Sequence, residues 1–93
     1  MIFEIRTYLL KPGTPPKAEE LFGEMIEKRA KLSRIAGFWR TEVGELNTII
    51  HIWPYKDENE RAKIRAEAVK TGVWPPKIQD FVLNMESLSL IHI

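Results

Sequence analysis

The order in which hydrophobic periods follow one another along this chain leaves few folds open to it. Residues 1–10 alternate with the two-residue period of a strand, setting Phe3, Ile5, Thr7 and Leu9 on one face and Ile2, Glu4, Arg6 and Tyr8 on the other. Lys11-Pro12-Gly13 breaks that strand, and Thr14-Pro15 supplies an N-cap followed by a proline at the first helical position. Ala18, Leu21, Phe22, Met25, Ile26, Arg29 and Leu32 then recur at three- and four-residue spacings, which predicts a helix that hides one stripe and stops near Gly37. A second strand is expected over residues 38–43, a tight turn at Gly44-Glu45, and a third strand over residues 46–55, the three forming a hairpin. Pro54 has no N–H for a ladder, which places it near the strand's end or on an edge. Asp57 and Glu60 resemble a capping box for a second helix, with Ala62, Ala66 and Val69 as its narrow buried stripe. Thr71-Gly72 ends it, Trp74-Pro75-Pro76 opens a short turn or helix, and residues 85–93 read as the last strand.

Strand, helix, strand, strand, helix, strand is the α+β arrangement called ferredoxin-like, a βαββαβ unit with a four-stranded antiparallel sheet. Both helices of such a unit cover one face of the sheet and leave the other bare. The whole chain, residues 1–93, is expected to form one domain of this kind. A domain that small buries only roughly 60% of the surface its unfolded chain exposes, so its own core is thin. With no cysteine and two well-separated histidines, neither disulfides nor a structural metal is expected to make up the shortfall, and self-association is. The prediction is therefore a homodimer. No apolar run approaches the ~20 residues of a membrane span, and Met1 leads directly into a strand pattern, so a cytosolic protein without membrane insertion is expected. Lys and Arg number 14 against 13 Asp and Glu, interleaved along the chain, which argues against nucleic acid as a partner.

Candidate chemistry gathers on the third strand, where alternation places Asn47, Ile49, His51, Trp53 and Tyr55 on one face. A histidine beside amide and indole donors suits a general base or a group that orients a carbonyl, which makes His51 the one catalytic candidate. The alternative is a satisfied histidine in a buried cluster, and a metal site shared with His92 is the least favoured reading. Glu4, Arg6 and Tyr8 form a row on the first strand: a buried acid held ionised by an arginine would give a pocket a rigid polar floor. The same residues could instead bridge a solvent-facing or dimer-facing sheet, and strand register decides between these. Arg61 and Arg65, one turn apart on the second helix, could grip a carboxylate or phosphate, or pair with Asp57, Glu58 and Glu67 on the helix surface. Trp39, Trp53 and Trp74 suit a pocket, a subunit interface or the core. The five glycines lie apart, so no phosphate-binding loop exists, and Ser33, Ser87 and Ser89 lack the context of a nucleophile. No cofactor is implied.

Taken together, Phe3-Glu4-Ile5-Arg6-Thr7-Tyr8 with Leu10-Lys11-Pro12-Gly13, Gly37-Phe38-Trp39-Arg40-Thr41-Glu42-Val43-Gly44-Glu45-Leu46-Asn47, and His51-Ile52-Trp53-Pro54-Tyr55 make the chain resemble a NIPSNAP protein over essentially its whole length. Arg61 and Arg65 also fall where that family tends to carry arginines, while Pro54 departs from a commoner non-proline residue. The resemblance implies a dimeric α/β barrel, two four-stranded sheets face to face with helices outside. The wider barrel class includes cofactor-free monooxygenases, haem-handling enzymes and isomerases, several with a ligand between the sheet and helices of one subunit. Animal members of the family are mitochondrial and connected with membrane traffic and mitophagy signalling, a cellular role that does not follow from a shared fold. The function expected here is a dimeric small-molecule-binding domain whose pocket uses Arg6, Tyr8, Asn47, Trp53, Arg61 and Arg65, with His51 as the group that would move a proton. The alternatives are a cofactor-independent enzyme acting on a small aromatic or carbonyl compound, and a non-catalytic scaffold.

Overall fold

The computed structural model describes all of residues 1–93. The elements run β1 (Ile2–Leu10), α1 (Pro15–Leu32), β2 (Gly37–Arg40), β3 (Thr48–Tyr55), α2 (Glu58–Thr71), a 3₁₀ turn (Gln79–Phe81) and β4 (Val82–Ile91). The sheet order is β2-β3-β1-β4 and every neighbouring pair is antiparallel. This is the expected ferredoxin-like α+β arrangement, and the single sheet is open.

Register places the polar row of β1 toward the helices. Ile2, Glu4, Arg6 and Tyr8 stand opposite Tyr55, Trp53, His51 and Ile49 of β3, and opposite Ile91, Ser89, Ser87 and Met85 of β4. Directly opposed residues share a face, so one side of the sheet carries all of these. Ile2, Glu4 and Tyr8 are buried there, with Ile49, His51, Trp53 and Tyr55, beneath Ala18, Phe22 and Arg29 of α1. Phe22 is the centre of this core: its ring meets those of Tyr8, Phe38, His51 and Trp74 at centroid distances between 4.8 and 5.9 Å. The opposite face carries Phe3, Ile5, Ile50, Ile52, Leu88 and Leu90 with no helix over it; Leu88 and Leu90 are about half exposed, at 55% and 47%. Trp39 lies on that face too, its ring folded over Gly37, where an added Cβ would meet the indole at 2.0 Å.

Several local expectations need correction. The hairpin is looser than a tight turn at Gly44-Glu45, because β2 ends at Arg40 and β3 starts at Thr48. Asn47 takes a positive φ of 62° and its carbonyl accepts from the Leu10 N–H, so it precedes β3 and does not extend the face of His51. In α2 the stripe is rotated: Ala62, Ala66 and Val69 are exposed, and Arg61, Ile64, Arg65 and Ala68 turn inward. The reason is electrostatic, since the sheet offers this helix a buried carboxylate as well as apolar surface. The cap of α2 is half of a capping box: Asp57 Oδ1 accepts from the Glu60 N–H at 2.9 Å, while Glu60 reaches the Lys56 N–H. Its other end is a Schellman motif, with Gly72 at φ 74° and N–H groups of Gly72 and Val73 bonded to the carbonyls of Val69 and Ala68. Thr14 does not cap α1 through its side chain, which donates to the Lys11 carbonyl. Pro54 lies near the end of β3, beyond the last residue that β2 pairs.

Phe22→Ala removes the ring on which four aromatic neighbours converge. A loss of about 3–5 kcal/mol in unfolding free energy is expected by denaturant titration, and a loss under about 1 kcal/mol would mean the layer closes without it.

Candidate functional site

The polar row of β1 is organised by Glu4, whose side chain is fully buried. A buried carboxylate requires partners, and the sheet and α2 supply them. Arg61 donates to Glu4 Oε2 through Nε at 3.0 Å and again through Nη2. Ser87 donates to the same oxygen at 2.8 Å, and Arg65 Nη1 lies 3.4 Å from Oε1. Arg6 Nη1 is 3.6 Å from Oε2. Burial pushes the Glu4 carboxyl up, but hydrogen bonds from Arg61 and Ser87 and the charges of Arg65 and Arg61 outweigh it and hold the group below its ordinary range. The same bond raises Arg61. Spacing on α2 presents both guanidiniums to the sheet: Arg61 and Arg65 are one turn apart, and Arg61 meets Glu58 only at 3.7 Å. Their principal partner is therefore a strand carboxylate rather than the acids of their own helix.

Arg29 enters from α1 and is equally buried, at 1% exposure. It donates to the Tyr55 hydroxyl at 2.7 Å and to Ser33 Oγ at 2.8 Å, and its guanidinium carbon sits 4.2 Å above the Trp53 ring. No carboxylate reaches it, its Nε–H has no partner, and burial lowers its pKa.

Arg6, Tyr8, Arg29 and Arg65 converge on one cleft of about 100 Å³, walled by Trp74, Pro75, Val69 and Met85, between the sheet and the C-terminal half of α2. Arg6 also donates to the Tyr8 hydroxyl at 3.3 Å. Of the residues marked out in the sequence, Arg6, Tyr8 and Arg65 meet here. Arg61 stands beside it on Glu4. Asn47 lines no cavity. His51 and Trp53 lie behind the cleft in the aromatic layer and line no cavity either.

His51 is 1% exposed and boxed by Tyr8, Phe22, Phe38, Trp53 and Trp74. The Trp53 indole N–H donates to its Nδ1 at 2.7 Å, which makes Nε2 the protonated nitrogen of the neutral ring; that nitrogen is buried without a partner. Desolvation, then the positive charge of Arg6, pushes the imidazole down to about 3. A ring so placed is neutral at physiological pH and a weak base. His92 packs on Phe3, across the sheet from His51, so the two imidazoles do not form a joint ligand set.

Sequence reasoning alone passes over Arg29 and the serines of β4 as parts of the site. Their signals are an arginine inside the buried stripe of α1, and serines alternating with leucines over residues 87–90.

Two helices on one face of a β2-β3-β1-β4 sheet, with arginines and aromatics between the layers, define a ferredoxin-like α+β protein. The chain belongs to the NIPSNAP family, matching it over residues 3–92. It is 37% identical to a NipSnap homolog of Dictyostelium discoideum over 87 residues, 94% of this chain and 39% of that protein. Human NipSnap homolog 3A is 32% identical over 75 residues, 80% of this chain and 30% of that protein. The chain thus spans about a third of the length of these curated relatives. Among solved structures, an Agrobacterium tumefaciens protein superimposes with a TM-score of 0.90 at 32% identity, covering 98% of this chain and 92% of that one. An uncharacterized NIPSNAP domain protein from Burkholderia xenovorans gives 0.89 at 26% identity, covering 100% and 95%. An antibiotic biosynthesis monooxygenase, at 15% identity and a TM-score of 0.75 over 100% and 99% of the two chains, shares the fold. No helix is long and apolar enough to cross a membrane.

The buried imidazole has a pH signature. Its folded pKa lies below the unfolded value, so folding favours the neutral form, and the stability this contributes is complete above pH 6.5 and is lost as pH falls toward 3. Glu4 is also lowered, from 4.5, and adds its own loss only below that pH. Between pH 6.5 and 4.5, unfolding free energy is expected to fall with a slope approaching about 1.4 kcal/mol per pH unit. His51→Phe should flatten that interval in denaturant titrations, and an unchanged slope would show that His51 is already protonated or exposed.

Proposed function

We propose that the protein is a dimeric small-molecule-binding domain whose ligand enters the cleft between the sheet and α2. The observation that carries this reading is the convergence of Arg6, Tyr8, Arg65 and Arg29, drawn from three elements, on one recess with an apolar wall. Few precisely placed polar groups against an aromatic surface are what a small-molecule site requires. Arg6, Tyr8 and Arg65 contact the ligand; Arg61 positions the other two arginines through Glu4. Trp53 and His51 form the packed floor that fixes Tyr8 and Trp74. Binding is preferred over proton-transfer catalysis because His51 is walled off from the cleft and held neutral.

Pairing is the second part of the proposal. The bare face offers Phe3, Ile5, Ile52, Leu88 and Leu90 as a continuous apolar surface in a chain with only 17 buried residues. Face-to-face packing of two such sheets would close an α/β barrel and supply the core each copy lacks.

Sedimentation at micromolar concentration should give the mass of a dimer, and Leu88→Glu, at an exposed position of that face, should give a monomer. A wild-type monomer would contradict the pairing. For the cleft, a thermal-shift screen of small metabolites should find compounds that raise the melting temperature by mass action. Met85→Trp, which fills the recess from β4, should abolish the shift while the protein stays folded. A shift that persists in the filled variant would place binding elsewhere.

A further inference from the structure

The cleft carries more positive charge than the chain itself balances. Arg6, Arg29 and Arg65 line it, and the one carboxylate in contact with any of them is Glu4, at 3.6 Å from Arg6 and 3.4 Å from Arg65. Glu4 is already engaged by closer partners outside the lining, Arg61 and Ser87. Arg29 has hydroxyls and a tryptophan face but no counter-charge, although it is 1% exposed. Burying a cation without a compensating anion is costly.

Unspent donors accompany that charge. The Arg29 Nε–H is buried and unpartnered. Arg6 and Arg65 each make a single side-chain hydrogen bond out of the five N–H groups a guanidinium holds. The Tyr8 hydroxyl accepts from Arg6 and keeps its own hydrogen free.

Size and shape narrow the anion. The recess measures about 100 Å³. It is well short of the ~300–1,000 Å³ of sites that enclose nucleotide-sized or larger ligands. Planar guanidiniums match a planar carboxylate through paired N–H bonds. The remaining wall, Trp74, Pro75, Val69 and Met85, is apolar and suits a short hydrocarbon or aromatic tail.

We infer that the ligand is a small monocarboxylate, its carboxylate held between Arg6 and Arg65 and its tail laid against Trp74. The inference rests on the reading of this cleft as the ligand site and names the class of molecule that fits it.

Isothermal titration with benzoate, its neutral isostere benzamide, and inorganic phosphate tests the assignment on the whole chain. Benzoate should bind at least tenfold tighter than benzamide and tighter than phosphate, with affinity falling as salt rises. Arg65→Gln should weaken benzoate at least tenfold, as should Val69→Glu, which brings a carboxylate to the mouth from a surface position and does not disturb packing. Benzamide, which carries no charge, should lose less affinity than benzoate in both variants. Benzamide binding as tightly as benzoate would overturn the carboxylate while leaving a ligand site in place. Phosphate outcompeting benzoate with the same Arg65 dependence would reassign the site to a tetrahedral anion. Failure of all three probes to bind would overturn the assignment together with the reading beneath it.

Discussion

The fully buried carboxylate of Glu4 is the constraint around which the helix-covered side of this protein is arranged. A charge in that position must be met by donors from every direction, and they come from α2, from β4 and from its own strand. Meeting it turns Arg61 and Arg65 inward and so sets the rotation of α2 about its axis. Ala62, Ala66 and Val69 are left outside as a consequence. The helix is docked by charge as much as by apolar area, since Ala68 is its one buried residue.

Docking the helix in this way separates roles across the interlayer. Glu4 uses Arg61 fully and Arg6 and Arg65 only in part, so the latter two face the cleft with donors to spare. Arg29, coming from the opposite helix, adds a third cation whose only partners are hydroxyls and an indole face. Behind them the aromatic layer of Tyr8, Phe22, Phe38, His51, Trp53 and Trp74 is close packed, and the indole N–H of Trp53 fixes the histidine tautomer. His51, the residue most suggestive of chemistry in the sequence, is thereby enclosed by the aromatic layer and lines no cavity.

Much of the fold is legible in the sequence because it depends on period and on turn residues. The strand alternation of β1 and the three-and-four spacing of α1 survive intact, and Gly72 ends α2 where a left-handed residue is needed. Hairpin length is less legible, because Asn47 adopts a positive φ and β3 starts only after it, at Thr48. The stripe of α2 is hidden from a count of small apolar residues, since a strand acid opposite the arginines reverses the preference. In the site, Arg6, Tyr8 and Arg65 are visible as residues, but their convergence depends on register and helix rotation, which are tertiary facts. Arg29 is visible too, as an arginine within a buried stripe, and a charge there signals a required partner.

Glu4 is the tie between α2 and the sheet. The most direct test of that tie is the unfolding free energy of Glu4→Gln, an isosteric change that leaves volume nearly constant and removes the charge opposite Arg61, Arg65 and Arg6. A loss of about 3–5 kcal/mol is expected, as for other buried pairs deprived of one partner. A loss below about 1 kcal/mol would contradict it and leave apolar packing as what holds the helix in place.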